Sequence, residues 1–278
     1  MAITYRLAGS ADWTNTTYWS GAAAPVATND VQVDAGADII ITNLPGVGSG
    51  VNYNSIIIGP NFTGKLGSSS ARLNIGTVGT ILFEGTRCGE CWIGIDTTDI
   101  VTNLVIKGST NGNDAFVLYT SLGTTTNFRH LGPGHARIAG STIVTNLRVS
   151  HPNASLTIDS AASVTTAWAN AGVVNCEAAV TTINLNGGTW NHDGTATYNV
   201  TTLNVSGGRF NFSANDTAAT PTISTLNIDG GTVDLNFGNQ YARTVTTLNG
   251  GGGKLFNRWT SPLLTVGTSN IWATEIVS

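Results

Sequence analysis

Apolar and polar residues alternate in short runs that return along the chain with the same neighbours. The clearest copies are Thr181-Thr-Ile-Asn-Leu-Asn-Gly-Gly188, Thr201-Thr-Leu-Asn-Val-Ser-Gly-Gly208 and Ser224-Thr-Leu-Asn-Ile-Asp-Gly-Gly231, with a degenerate fourth at Thr246-Thr-Leu-Asn-Gly-Gly-Gly-Gly253. Weaker copies lie upstream at Thr145-Asn-Leu-Arg-Val149, Thr126-Asn-Phe128, Thr102-Asn-Leu-Val-Ile106 and Asn54-Ser-Ile-Ile-Ile58. Within a copy the period is two: Leu203 and Val205 point one way, Asn204 and Ser206 the other, which is the signature of a half-buried strand. After each Gly-Gly a second short strand is predicted, at Thr189-Trp190-Asn191, Arg209-Phe210-Asn211-Phe212 and Thr232-Val233-Asp234-Leu235.

Anchoring on the first aliphatic residue gives Ile56, Ile81, Leu104, Phe128, Leu147, Ala167, Ile183, Leu203, Leu226 and Leu248, a mean spacing of about 21 residues. A unit this small cannot bury its own apolar face, but stacking units along an axis lets each coil cover the next. Equivalent positions then form columns. Asn184, Asn204, Asn227 and Asn249 make an asparagine ladder, and Trp190, Phe210, Val233 and Leu255 an interior apolar stack. The Gly-Gly pair suits a turn that needs positive φ or close backbone approach. The predicted fold is all-β: a single-stranded parallel β-helix, or β-solenoid, right-handed by the crossover rule. Ten coils at about 4.8 Å each give a rod near ~50 Å.

A solenoid must hide its terminal edges. Residues 1–50 do not fit the repeat and are expected to form an N-terminal cap or attachment module. Residues 51–254 form the helix, and 255–278 a C-terminal cap or subunit-contact segment. The stretch from Ala11 through Trp13, Tyr18 and Trp19 to Pro25 and Asn29-Asp-Val-Gln-Val33 resembles the entry of many surface β-solenoids of the autotransporter and adhesin type. Trp13, Trp19, Trp259 and Trp272 are the candidate partner-contact residues, lying in the two end segments.

Composition narrows the function class. Glycine, threonine and asparagine number 34, 42 and 28 among 278 residues, and charged residues are 10%, so few strong helix formers remain. Disorder is not expected at 41% apolar content and a net charge of −4. Twelve scattered Lys+Arg make no cationic stripe for phosphates, so nucleic acid is not an expected partner. No run approaches the ~18 apolar residues that cross a membrane. Met1-Ala2-Ile3-Thr4-Tyr5-Arg6 has no basic region followed by an apolar one, so no Sec leader is expected. Three cysteines do not make a closed disulfide framework.

Candidate chemistry is sparse. Cys88-Gly-Glu-Cys91 has a spacing that suits a metal or a redox pair, but a zinc site needs two more ligands and no histidine is near. The bland reading is a turn between coils. His130, His135, His151 and His192 are expected as solvated loop residues, without a nucleophile motif around them. Outward carboxylates on adjacent coils would suit a polysaccharide hydrolase, and Glu84, Glu90, Asp96 and Asp99 are the densest acidic group, with Asp229 and Asp234 sharing one unit. No unit is long enough to build a deep cleft, so the chain is not read as an enzyme. The Gly-Gly-x-Gly-x-Asp calcium nonapeptide is absent, and no cofactor is expected.

The Thr/Asn/Gly-rich, low-charge chain resembles virion proteins of tailed bacteriophages. That resemblance implies assembly in the host cytoplasm, a homotrimer and a major capsid or other virion protein as partner. The leading expectation is a capsid decoration or cement protein. The alternatives are a fibre or tailspike module binding host glycans, a bacterial surface-layer or adhesin solenoid, and, last, a polysaccharide-degrading enzyme.

Overall fold

The Thr-Thr-aliphatic-Asn-aliphatic run of each repeat is a strand in a stack of parallel strands. The computed structural model describes residues 4–7, 12–20, 23–34, 40–41, 44, 51–95, 97–110, 115–120, 122–194, 199–214, 220–235, 242–256 and 264–277. Every pairing among the strands of these residues is parallel, and a single 3-10 turn at Thr16–Tyr18 is their only helical element. The fold is a parallel β-solenoid of about ten turns of ~21 residues. Two compact units divide the chain, residues 1–145 and 146–278, with the division inside the strand Ile143–Val149.

In the first unit one sheet runs through Thr4–Leu7, Asp30–Val33, Ser55–Ile58, Val78–Phe83, Ile100–Ile106 and Thr124–His130. The anchors meet in the expected register: Val31 faces Ile56, Ile56 faces Ile81, Ile81 faces Leu104 and Leu104 faces Phe128. The opposite sheet takes Ile40–Ile41, Lys65–Leu66, Cys91–Ile95, Ala115–Thr120 and Gly134–Gly140, with Leu73–Ile75 joining Cys91–Ile95 beside the main path. Thr4–Leu7 and Asp30–Val33 therefore enter the parallel stack, although their segment was expected to lie outside the repeat. Asp-Val-Gln-Val is four residues long and lacks both the Thr-Thr-x-Asn signature and the Gly-Gly turn, so only its alternation betrays it.

In the second unit the first sheet holds Ser163–Ala169, Ala179–Leu185, Val200–Val205, Thr222–Ile228, Arg243–Gly250 and Leu264–Ile271. The other holds Ala154–Ile158, Val173–Cys176, Thr189–Gly194, Arg209–Ala214, Thr232–Asp234, Lys254–Phe256 and Glu275–Val277. Ala167, Ile183, Leu203, Leu226 and Leu248 pair in succession. Trp190, Phe210, Val233 and Leu255 pair in succession in the opposite sheet, all fully buried. Both predicted columns are present. The strands Lys254–Phe256, Leu264–Ile271 and Glu275–Val277 carry the stack into the segment expected as a terminal cap.

The repeat departs from strict alternation at one place. In Ala179–Leu185, Val180 is inward, Thr181 and Thr182 both face out, Ile183 is inward, Asn184 out and Leu185 in. The same in-out-out-in-out-in order recurs in Val200–Val205 and Thr222–Ile228. The doubled threonine is thus an outward bend that restores register for the next two apolar residues.

The Gly-Gly corner is set by how closely coils approach. Gly188, Gly208, Gly231 and Gly253 have φ of 74, 72, 68 and 71°, a region that side chains with a Cβ avoid. A Cβ on Gly208 would sit 2.5 Å from the Gly188 carbonyl oxygen of the coil below. Hydrogen bonding continues through the corner: the Ser206 and Gly207 N–H groups both donate to the Leu185 carbonyl (3.0 and 3.2 Å), and Arg209 N–H donates to Gly188 (2.9 Å). Backbone groups that a loop would leave to water are satisfied by the neighbouring coil.

Candidate functional site

Outward-facing residues of the second unit form polar ladders. Asn204 Nδ2 donates to Asn184 Oδ1 (2.9 Å), Asn227 to Asn204 (2.8 Å), Asn249 to Asn227 (2.8 Å) and Asn270 to Asn249 (3.0 Å). The ladder predicted from sequence is present and gains a fifth rung at Asn270. On the opposite sheet Asn191 donates to Asn175 (2.8 Å) and Asn211 to Asn191 (2.7 Å). At the corner Asn186 donates to Asn170 (3.0 Å) and Ser206 to Asn186 (2.8 Å).

A shallow groove of about 240 Å³ lies along the second of these ladders, lined by Asn175, Cys176, Glu177, Asn191, Asp193 and Ser213. Cys176 pairs with His192 on the next coil, and Glu177 and Asp193, the residues that follow them, both line the groove. Ser213 Oγ donates to Asp193. The sequence reading did not single out these two carboxylates. The available signal was Asn-x-acid recurring as Asn175-Cys-Glu177 and Asn191-His-Asp193, with Asn211-Phe-Ser213 as a third copy. The groove is smaller than the ~300 Å³ at which drug-sized ligand sites begin, and it suits one polar group rather than a polymer.

The acidic residues named from sequence do not converge. Glu84 pairs with Lys107 (3.4 Å), Glu90 accepts from the Trp92 indole (3.0 Å) and Asp99 accepts from Thr77 (2.9 Å). Asp96 lies outside the described residues. Asp234 holds Arg209 at 2.9 Å. Each described carboxylate of that group, Asp229 aside, joins neighbouring coils or its own turn.

Three histidines depart from the solvated-loop expectation: His135 is half-buried in the strand Gly134–Gly140, and two lie deeper. His130 and His192 are buried inside the strands Thr124–His130 and Thr189–Gly194. His192 packs in a three-ring cluster with Phe210 and Phe212, its ring centroid 6.2 and 5.9 Å from theirs, which lie 6.2 Å from each other. Gly-Pro-Gly beside His130 masked the strand on either side of that turn. His135 has its pKa lowered, first by burial and then by the Arg137 charge.

The cysteines are thiols and all are buried. Cys88 and Cys91 lie with their sulfurs 4.0 Å apart. Among the described residues no group of three or more His, Cys, Asp or Glu gathers as for a metal ion. Burial pushes the Cys176 thiol up to about 12.

The candidate contact tryptophans separate into three cases. Trp13 and Trp19 are buried, 3% exposed each, in an edge-to-face pair with centroids 5.0 Å apart, and the Trp19 indole donates to the Trp13 carbonyl (2.8 Å). Their rings serve the N-terminal core and leave no surface for a partner, because the apolar gain of two indoles is larger inside. Trp259 lies outside the described residues. Trp272 is 72% exposed.

Trp272 lies in the coil of the last described strands. Leu264–Ile271 and Glu275–Val277 are the last strands of their sheets. Ile276 takes the register position after the fully buried Leu255, yet is 52% exposed. Ser269 follows Leu248 and is also exposed. Leu264–Ile271 carries neither charge nor proline, the residues that commonly blunt a free edge.

A second surface feature was missed from sequence. On the outer face of the first unit the Arg72 guanidinium lies 3.6 Å from the Tyr119 ring centroid and 6.0 Å from that of Trp92. Trp92 and Tyr119 pack over Ala115, Val117 and Ala139. Their spacing of 20 and 27 residues only becomes a cluster once the coils are stacked. No helix of the described residues is long and apolar enough to cross a membrane. Compared with protein-family models, curated proteins and solved structures, the chain matches none.

Proposed function

We propose that the chain is a structural protein of a tailed bacteriophage particle, a capsid decoration protein that docks through the coil of Leu264–Ile271 and Glu275–Val277. The observation that carries the reading is that coil. Two of its inward register positions, Ser269 and Ile276, are exposed, Trp272 stands exposed in the same coil, and the eight-residue strand Leu264–Ile271 is uncharged. Such an edge offers unpaired N–H and C=O groups together with apolar surface, which is what strand addition to another protein uses. The major capsid protein is the proposed partner, and a homotrimer the proposed form on the shell. The composition supports the same class, and the polar ladders suit a rigid element better than a catalytic cleft.

The Arg72–Tyr119–Trp92 cluster favours a second reading, a fibre module. The Arg72 guanidinium covers the Tyr119 ring, and the half-buried Trp92 with the Glu90 carboxylate it donates to is what the cluster would offer to a sugar ring.

One measurement separates these readings: quantitative mass spectrometry of purified particles, counting this chain against the major capsid protein. Hundreds of copies per particle are expected for decoration. A few dozen or fewer favour the fibre, and absence from particles sinks both. In the first case Trp272→Glu should cut particle binding at least ~tenfold, the size of a central aromatic anchor. Undiminished binding would refute docking through that coil.

A further inference from the structure

We propose that Cys88 and Cys91 are a modification site: a buried dithiol that becomes an intramolecular disulfide by exchange with a low-molecular-mass disulfide. The inference does not depend on the virion reading. The sulfurs are 4.0 Å apart across Gly89-Glu90, and both residues are fully buried. A disulfide needs ~2.05 Å, a closure of the order that a side-chain rotation supplies. The dithiol is the chemistry left once a metal is tested, since no third ligand joins the pair among the described residues.

The two cysteines are held unequally. Cys91 opens the strand Cys91–Ile95 and is paired on both sides, with Leu66 and with Phe116. Cys88 sits outside any strand. A single bridge joins it to Thr110, and its Sγ donates to the Ser109 carbonyl at 3.6 Å. The preceding Arg87 has φ of 55°, a strained value for a side chain with a Cβ. The flexible stem of Lys65 lies against Gly89 of this turn, its Cγ 2.6 Å from where a Cβ on Gly89 would sit. Local opening therefore frees Cys88 before Cys91.

The exchange balances without a further reagent. Cys88 loses its proton to solvent, and its thiolate attacks one sulfur of the external disulfide. An S–S bond forms to Cys88, and the other half leaves with the electron pair as a thiolate. Cys91 then loses its own proton to solvent, and its thiolate attacks the Cys88 sulfur and expels the second half as a thiolate; the two released thiolates take up the two protons. Two protein thiols are oxidised, and one external disulfide is reduced to two thiols. Cys176, whose thiol donates to the Ala178 carbonyl at 3.5 Å and is pushed up by burial, stays reduced and serves as the internal control.

The test incubates the native chain with excess oxidised glutathione at pH 8 for a day, followed by alkylation under denaturing conditions and peptide mapping. The expected product has a Cys88–Cys91 linkage, a mass ~2 Da lower and an alkylated Cys176. Cys91→Ser should trap a glutathione adduct on Cys88, whereas Cys88→Ser should leave Cys91 unmodified. Should either variant fail to fold, the wild-type map decides alone. Two unoxidised thiols, a persistent glutathione adduct at Cys88 of the wild type, or linkage to Cys176 would each overturn the proposal.

Discussion

Replacing the central rung of the long asparagine ladder should cost several times what replacing its last rung costs. Asn204 makes two side-chain hydrogen bonds, donating to Asn184 at 2.9 Å and accepting from Asn227 at 2.8 Å. Asn270 makes one, at 3.0 Å, and is exposed. A net bond contributes about 0.5–1.5 kcal/mol, and more is lost when a partner is left unsatisfied away from water. The inner rungs are half-buried, so about 1 kcal/mol per bond applies. Asn204→Ala should then destabilise by ~2 kcal/mol and Asn270→Ala by ~0.5 kcal/mol. The melting shift depends on what melts together. With about 2.1 cal/mol/K of unfolding entropy per residue, 2 kcal/mol is ~7 °C if residues 146–278 unfold alone and ~3 °C if the whole chain unfolds as one. Denaturant titration gives the free energies, and calorimetry the midpoints. The double variant with Asn227→Ala should show a coupling of about 1 kcal/mol. Equal costs at Asn204 and Asn270, or no coupling, would refute the claim that the rungs stabilise through their mutual bonds.

Gly208→Ala should destabilise by at least ~2 kcal/mol, from a left-handed residue with a Cβ plus a 2.5 Å approach to the Gly188 oxygen. Gly208→Asn, which tolerates the dihedral but not the contact, should fare no better, and recovery of stability with Asn would show that conformation alone matters. Stability should fall as pH rises from 9 toward 12, because burial holds the Cys176 thiol up to about 12 while the unfolded thiol ionises near 9. A raised folded value is fully stabilising below the unfolded one and is lost above it, at no more than ~1.4 kcal/mol per pH unit. Cys176→Ala should flatten that limb between pH 9 and 10, below the range where Tyr53, also pushed up by burial to about 12, adds its own loss. An unchanged slope there would contradict the assignment.

The fold was legible where side chains repeat at equivalent positions. Leu203, Trp190, Asn204 and Gly208 each occupy a column, so four chemically different demands agree on one register. The strands Asp30–Val33 and Glu275–Val277 were not legible, because four and three residues carry too little alternation and their turns lack Gly-Gly. Surface chemistry was harder to read. Glu177 and Asp193, or Arg72, Trp92 and Tyr119, become neighbours only when coils of unequal length are laid in register. A length difference in any intervening turn hides the spacing. The burial of Trp13 and Trp19 shows the same limit: a large aromatic in an end segment carries no sign of whether it closes the core or meets a partner.

The asparagine ladder has a direction. Every rung from Asn204 to Asn270 donates its amide hydrogen to the coil before it, leaving its own oxygen for the coil after. Each coil from Asn184 to Asn249 therefore carries the connector its successor needs, and these coils share one joint, whereas Trp168 takes the position in the coil before them. Joining Leu203 directly to Asn227 restores Thr-Thr-Leu-Asn-Ile-Asp-Gly-Gly without a new residue. Such a chain can change its reach in whole-coil increments through recombination between its own repeats. Its length becomes a quantity that evolution adjusts by counting turns, leaving both ends as they were.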